Sequence, residues 1–236
     1  MIEYLKKALV LRPYAIIKIY EFLRKIGVFG LWFNFKLDSN THFRLFGNKS
    51  QMISNNYKLN NKNLANHTFP NGFIEEQSML NDLVYGTVPL SYSGCEIIAL
   101  YNALYYINDI IPLPDLIRHF EKDGAALGGE IGTSPIALVN FLLKRHYPIL
   151  YSFSQADFQE IADYASVLIL TAYNDDQDIT KMIHTICITK KNNLFAGHNC
   201  VNSKEYENIN ELTKGIGGGY HGKGIFLIGI MNTKNP

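Results

Sequence analysis

Patterns of period 3.6 and period 2 occupy different parts of this chain, and that separation constrains its fold more than any single residue does. Apolar residues recur at helical spacing over 95–107, 114–121 and 132–146. The last of these has Thr133 or Ser134 as N-cap and Pro135 in its first turn. Strand patterning follows at 148–152 and 166–172, with a predicted helix at 155–163 between them, then at 183–190, 194–201 and 225–231. Helices that gather first and strands that gather later predict an α+β fold, with N-terminal helices packed against an antiparallel sheet. No internal repeat interrupts the pattern.

The N-terminal third reads differently. Residues 14–27 predict an amphipathic helix, with Ile16, Ile19, Tyr20, Leu23 and Ile26 on one stripe and Lys18, Glu21, Arg24 and Lys25 on the other. Pro13 lies at its first turn and Gly27 past its end. Residues 48–72 are crowded with asparagine and poor in periodicity, so they predict a loop. The division expected is an extension over 1–74 and a catalytic domain over 75–236.

Charge sharpens this division. The net charge is +1, but residues 1–36 hold seven basic residues against Glu3 and Glu21, a balance of +5, which leaves −4 for the rest. The global balance gives no reason to expect a nucleic-acid partner. The basic helix instead predicts packing on the main domain, or a weak contact between residues 1–36 and an anionic membrane surface. Three cysteines at irregular spacing, Cys95, Cys187 and Cys200, argue against a disulfide framework. Charged residues cut the N-terminal apolar stretches before a signal-peptide core forms, and no run approaches the ~18 apolar residues of a membrane span. These features predict a cytoplasmic protein.

Two stretches carry chemistry. In SYSGCEIIALYNALYYIN (91–108) a Ser/Gly turn precedes apolar residues at 97, 98, 101, 104 and 105, which places Cys95 in the first turn of a buried helix. There the helix dipole and unpaired N–H groups favour a thiolate and can donate to an oxyanion beside the sulfur. Gly94 would let the chain and a substrate carbonyl approach closely. In MIHTICITKKNNLFAGHNCVN (182–202), two β-branched runs flank Asn192-Asn193, residues suited to a two-residue hairpin turn. Facing residue numbers then sum to 385, as in Lys191 with Leu194 and Ile186 with Asn199. One face carries His184, Ile186, Asn199 and Val201, and the other Cys187, His198 and Cys200. His184 and Asn199 become diagonal neighbours roughly 7–8 Å apart. The candidate triad is therefore Cys95 as nucleophile, His184 as base and Asn199 as the residue orienting the imidazole. A metal set of His184, Cys187, His198 and Cys200 is disfavoured because His184 lies on the opposite face from the other three. No metal or cofactor is implied.

A Cys opening a helix after a Ser/Gly turn, a helical middle, and a strand His followed fifteen residues later by an Asn resembles the papain-like cysteine peptidases. Within them, the chain is similar to the bacteriocin-leader-processing peptidases of ABC exporters, over roughly residues 75–232. The resemblance implies a thiol hydrolase acting on a peptide or amide bond through an acyl-enzyme. It departs from the family at one position. The Gln that completes the oxyanion hole six residues before the Cys is Pro89 here, with Asn81, Gln77, Tyr92 and Ser93 as candidate replacements. Rival readings are an acyltransferase of the same fold, a non-catalytic binding protein built on it, and a membrane-associated module. GAALGGEIGTSP (124–135) lacks the Lys and spacing of a phosphate-binding P-loop and reads as a loop near the cleft. GIGGGYHGKG (215–224) reads as a glycine-rich connection to the last strand.

Overall fold

The structure is a computed structural model and describes residues 13–28, 49–174, 183–200, 204–216 and 223–231. In chain order its elements are α1 (Pro13–Val28), α2 (Lys49–Leu64), β1 (Val84–Tyr85), β2 (Val88–Pro89), the single turn α3 (Leu90–Ser93), α4 (Cys95–Tyr106), α5 (Leu113–Lys122), α6 (Pro135–Lys144), β3 (Ile149–Ser152), α7 (Phe158–Tyr164), β4 (Val167–Tyr173), β5 (Ile183–Lys191), β6 (Leu194–His198), β7 (Glu205–Tyr206), α8 (Ile209–Gly215) and β8 (Gly224–Ile230). The fold is α+β. Strands β3 to β8 form one antiparallel sheet in the order β3-β8-β4-β5-β6-β7.

Both faces of this sheet are covered. Val167, Ile169, Tyr173, Ile183, Cys187, Phe226 and Ile228 face a core shared with α1, α4, α5 and α6. Leu168, Leu170, Ala172, Ile186, Ile188 and Leu227 face a second core made by α7 and α8. Every residue of β4 and β8 is buried. That explains why 166–172 and 225–231 read as continuous apolar runs, since a strand covered on both sides has no solvent face to mark with polar residues. Among the described residues, no helix is long and apolar enough to cross a membrane.

Helix α1 occupies the predicted span, and its Ile16, Ile17 and Tyr20 lie in the same core as α4. The polar stripe is engaged as well. Arg24 Nε donates to Glu21 at 2.8 Å, Arg24 also meets Asp123, and the Ser134 hydroxyl donates to Glu21 at 2.9 Å. Ile19, expected on the buried stripe, is 44% exposed, and Phe22 is 63% exposed. Most of the span expected to touch a membrane, 1–12 and 29–36, lies outside the described residues.

The expected loop over 48–72 is largely a helix. Lys49–Leu64 forms α2, and the asparagines that obscured its periodicity are what dock it. Asn56 and Asn60 are four residues apart and share one face. The Asn60 amide donates to Val84 O at 2.8 Å, and its Oδ1 accepts from Val84 N at 2.7 Å. The Asn56 amide donates to Gly86 O and to Glu121 Oε1. A side-chain amide copies the donor and acceptor of a peptide group, so this face, which also buries Ile53, binds a backbone segment. Asn60 is completely buried. Replacing it with alanine leaves two main-chain groups of Val84 without partners. Urea unfolding should show a loss of about 2–3 kcal/mol; an unchanged midpoint would mean that water takes over both bonds.

Candidate active site

The hairpin forms in the predicted register, from Lys191↔Leu194 to Cys187↔His198. Asn192 and Asn193 both have positive φ, 50° and 61°, as a two-residue turn of this twist requires. The ladder ends at Cys187↔His198, before the expected pair of Ile186 with Asn199, and the expected partner of His184, Val201, lies outside the described residues. Asn199 adopts φ 60°, a left-handed conformation that Asn tolerates, and it leaves the strand instead of pairing with Ile186.

This turn changes how Asn199 meets His184. The His184 Nε2 lies 2.7 Å from the main-chain carbonyl oxygen of Asn199. A carbonyl can only accept, so Nε2 carries the proton and Nδ1 is the basic nitrogen. The side chain expected to orient the ring does something else. Its Oδ1 accepts from Gln77 N at 2.9 Å, and its Nδ2 donates to Gln77 Oε1 at 3.3 Å. The contact between His184 and Asn199 is made, but by backbone. Neighbouring His198 ties the same segment down, with Nδ1 against Glu75 at 2.8 Å and its ring stacked on Phe73 at 4.0 Å.

Cys95 opens α4 as predicted and is 8% exposed. Gly94 precedes it for a packing reason. A Cβ there would lie 2.6 Å from Leu90 O and 2.4 Å from the Leu90 side chain. The glycine therefore lets α3 fold against α4, where the sequence suggested room for substrate.

The thiol's immediate partner was not foreseen. Among the described residues, Cys95 Sγ donates to Glu96 Oε2 at 3.3 Å, and no hydrogen bond joins it to His184. Glu96 is 1% exposed; the same oxygen accepts from Thr133 N at 3.4 Å. Burial pushes the Cys95 thiol well up, and the adjacent Glu96 carboxylate adds to this. The helix N-terminus was expected to lower it, but desolvation and a like charge outweigh a dipole felt over one turn. Burial likewise raises Glu96 from its ordinary 4.5 to about 7. For His184, burial lowers the imidazole below its ordinary value, against the opposing pull of the Asn199 carbonyl. The resting site thus favours a neutral thiol and a neutral imidazole over an ion pair. The only sequence signal for Glu96 was its place next to Cys95 in the first turn.

Strand parity places the two central residues. His184 faces Ala172, on the side of Ile186 and the α7/α8 core, whereas Thr185 faces Thr171 and meets the Cys95–Glu96 pair beneath α4. His184 is nevertheless near the start of β5, at the open end of the sheet. There it borders two cavities. One, of about 250 Å³, also touches Tyr20, Gln77, Ser93, Cys95 and Glu96. The other, of about 400 Å³, also touches Glu75, Asn199, Cys200 and Ile216. His184 and Asn174 are common to both, so the cleft continues from the sulfur past the imidazole to the Asn199 turn.

The candidate replacements for the missing oxyanion donor also separate. The Asn81 side-chain oxygen Oδ1 accepts from the Ser91 hydroxyl. The Gln77 amide donates to Ser91 O at 2.9 Å. Tyr92 is 46% exposed, and Ser93 is buried beside Cys95. No family model, curated protein or solved structure matches this chain.

Proposed function

We propose that the chain is a papain-like thiol hydrolase acting on a peptide or amide bond, with Cys95 as nucleophile and His184 as general base. The observation that carries the reading is that Cys95, at the start of α4, and His184, on β5, open onto one cavity. The imidazole there has Nε2 occupied by a carbonyl and Nδ1 free to accept a proton. The order of parts, a Cys helix, then a His on a strand of an antiparallel sheet, then an Asn just past the next strand, supports the papain-like assignment.

In the reaction, Nδ1 of His184 takes the thiol proton and the thiolate adds to the scissile carbonyl. The resulting oxyanion collapses as the amine leaves with the proton from His184. Water, deprotonated by the same imidazole, then releases the acid and restores the thiol. Binding of substrate in the cleft has to displace the sulfur from Glu96 as the proton moves.

An activated ester tests this without a known substrate. Incubation with p-nitrophenyl acetate should place an acetyl group on Cys95, read by peptide mass mapping, followed by its slow loss to water. The Cys95→Ala variant should show no such burst. Unmodified Cys95 in folded wild-type protein, with other nucleophiles acetylated, would remove the reading.

A further inference from the structure

Only two buried side-chain polar atoms among the described residues lack a hydrogen-bond partner, Ser93 Oγ and Glu121 Oε2. Glu121 lies apart from the Cys95 cavity, under α2, whereas Ser93 lines that cavity two residues before the nucleophile. Ser93 is 6% exposed and ends α3. A buried hydroxyl without a partner is costly, so an orphan donor at this place calls for an acceptor that arrives later.

We infer that the Ser93 hydroxyl is the side-chain oxyanion donor of this site, taking the place of the Gln that Pro89 displaces. The inference rests on the reading of Cys95 as nucleophile. Of the other candidates, Gln77 already donates its amide to the Ser91 carbonyl, Asn81 is exposed and does not line the Cys95 cavity, and Tyr92 lines it but is 46% exposed to water, which can satisfy its hydroxyl. No hydrogen bond holds Ser93 Oγ in its resting rotamer, so turning it about Cα–Cβ toward a substrate breaks none. The Gly94 N–H donates to Leu90 O at 2.8 Å, which holds the turn that joins Ser93 to Cys95. As the thiolate adds to a carbonyl, the C–S bond forms and the C=O π pair moves to oxygen. Ser93 O–H donates to that oxygen until the C=O re-forms and the leaving group departs.

Two reagents separate this role from a structural one. Acetylation by p-nitrophenyl acetate passes through an oxyanion, and alkylation by iodoacetamide is a direct displacement that forms none. Both rates are read at Cys95 by mass spectrometry. Ser93→Ala should slow acetylation about 10²-fold while leaving alkylation within about twofold. Ser93→Gly repeats the deletion should the alanine variant fail to fold. Acetylation unchanged, or both rates falling together, would overturn the assignment. Wild-type Cys95 inert to both reagents would instead remove the nucleophile itself and the donor with it.

Discussion

Replacing His184 with alanine should slow acetylation of Cys95 by p-nitrophenyl acetate by about 10²–10⁴-fold, the range expected when a positioned general base is lost. The dependence should be strong because the thiol does not ionise unaided. It is buried, and its neighbour is a carboxylate and not a cation. Asn199→Ala should behave differently, costing less than about tenfold. The group holding the imidazole is the Asn199 carbonyl, which alanine retains, while the lost side chain served Gln77. Parallel stopped-flow measurements of the two variants decide the matter. An Asn199→Ala loss as deep as that of His184→Ala would show that the side chain orients the ring during reaction. A His184→Ala variant with wild-type speed would move the base role to Glu96, the present acceptor of the thiol proton.

Stability should fall as the pH rises from 5 toward 8, with Glu121 as one cause. This carboxyl is buried, and burial raises it from 4.5 to about 7, against the lowering by Asn56 and the Gly86 N–H. Both donors converge on Oε1, and Oε2 has no partner. Between the two values the unfolded chain has lost the proton and the folded chain keeps it. The native state then binds more protons, and stability drops with each step of pH across that window and levels off above it. The part of that window above pH 5 spans about 2 pH units, and at ~1.4 kcal/mol each it gives about 3 kcal/mol. Glu96 adds a second contribution of the same sign. His184 and His119, lowered by burial, act in the opposite sense, because the unfolded chain binds protons there that the folded chain refuses. The comparison with Glu121→Gln isolates the glutamate. The amide retains an oxygen for Asn56 and cannot ionise, so urea midpoints should show the variant gaining on wild type by about 3 kcal/mol between pH 5 and 8. Parallel pH profiles for the two proteins would sink the assignment.

The parts of the fold that could be read in advance are those decided within one element or one turn. The α4 pattern, the hairpin sum of 385 and the side-chain parity of β5 all follow from local periods of 3.6 and 2, with Asn192-Asn193 supplying the turn. Helix α2 escaped because most of its buried face is polar, with Ile53 as the apolar exception. Its buried face is marked by Asn56 and Asn60, and hydropathy periodicity cannot register an amide that docks on the backbone of Val84 and Gly86. Helix α8, which covers the second face of the sheet, also went unrecognised, since seven residues with Ile209 and Leu212 buried are too few to establish a period.

Within the candidate site, sequence alone determined that Cys95 begins a buried helix, that His184 lies on a strand, and that Asn199 follows it across a hairpin. Each is a statement about residues close in the chain. Tertiary structure alone decided which sheet face α4 covers, and so put Thr185, not His184, beneath the Cys95–Glu96 pair. It also decided that Asn199 leaves the ladder and offers its carbonyl, and that Ser93 is buried without a partner. Hydrogen-bond partners and desolvation are set by segments distant in sequence, such as 73–77 and 132–133. Their positions depend on how the layers pack, which no local period encodes.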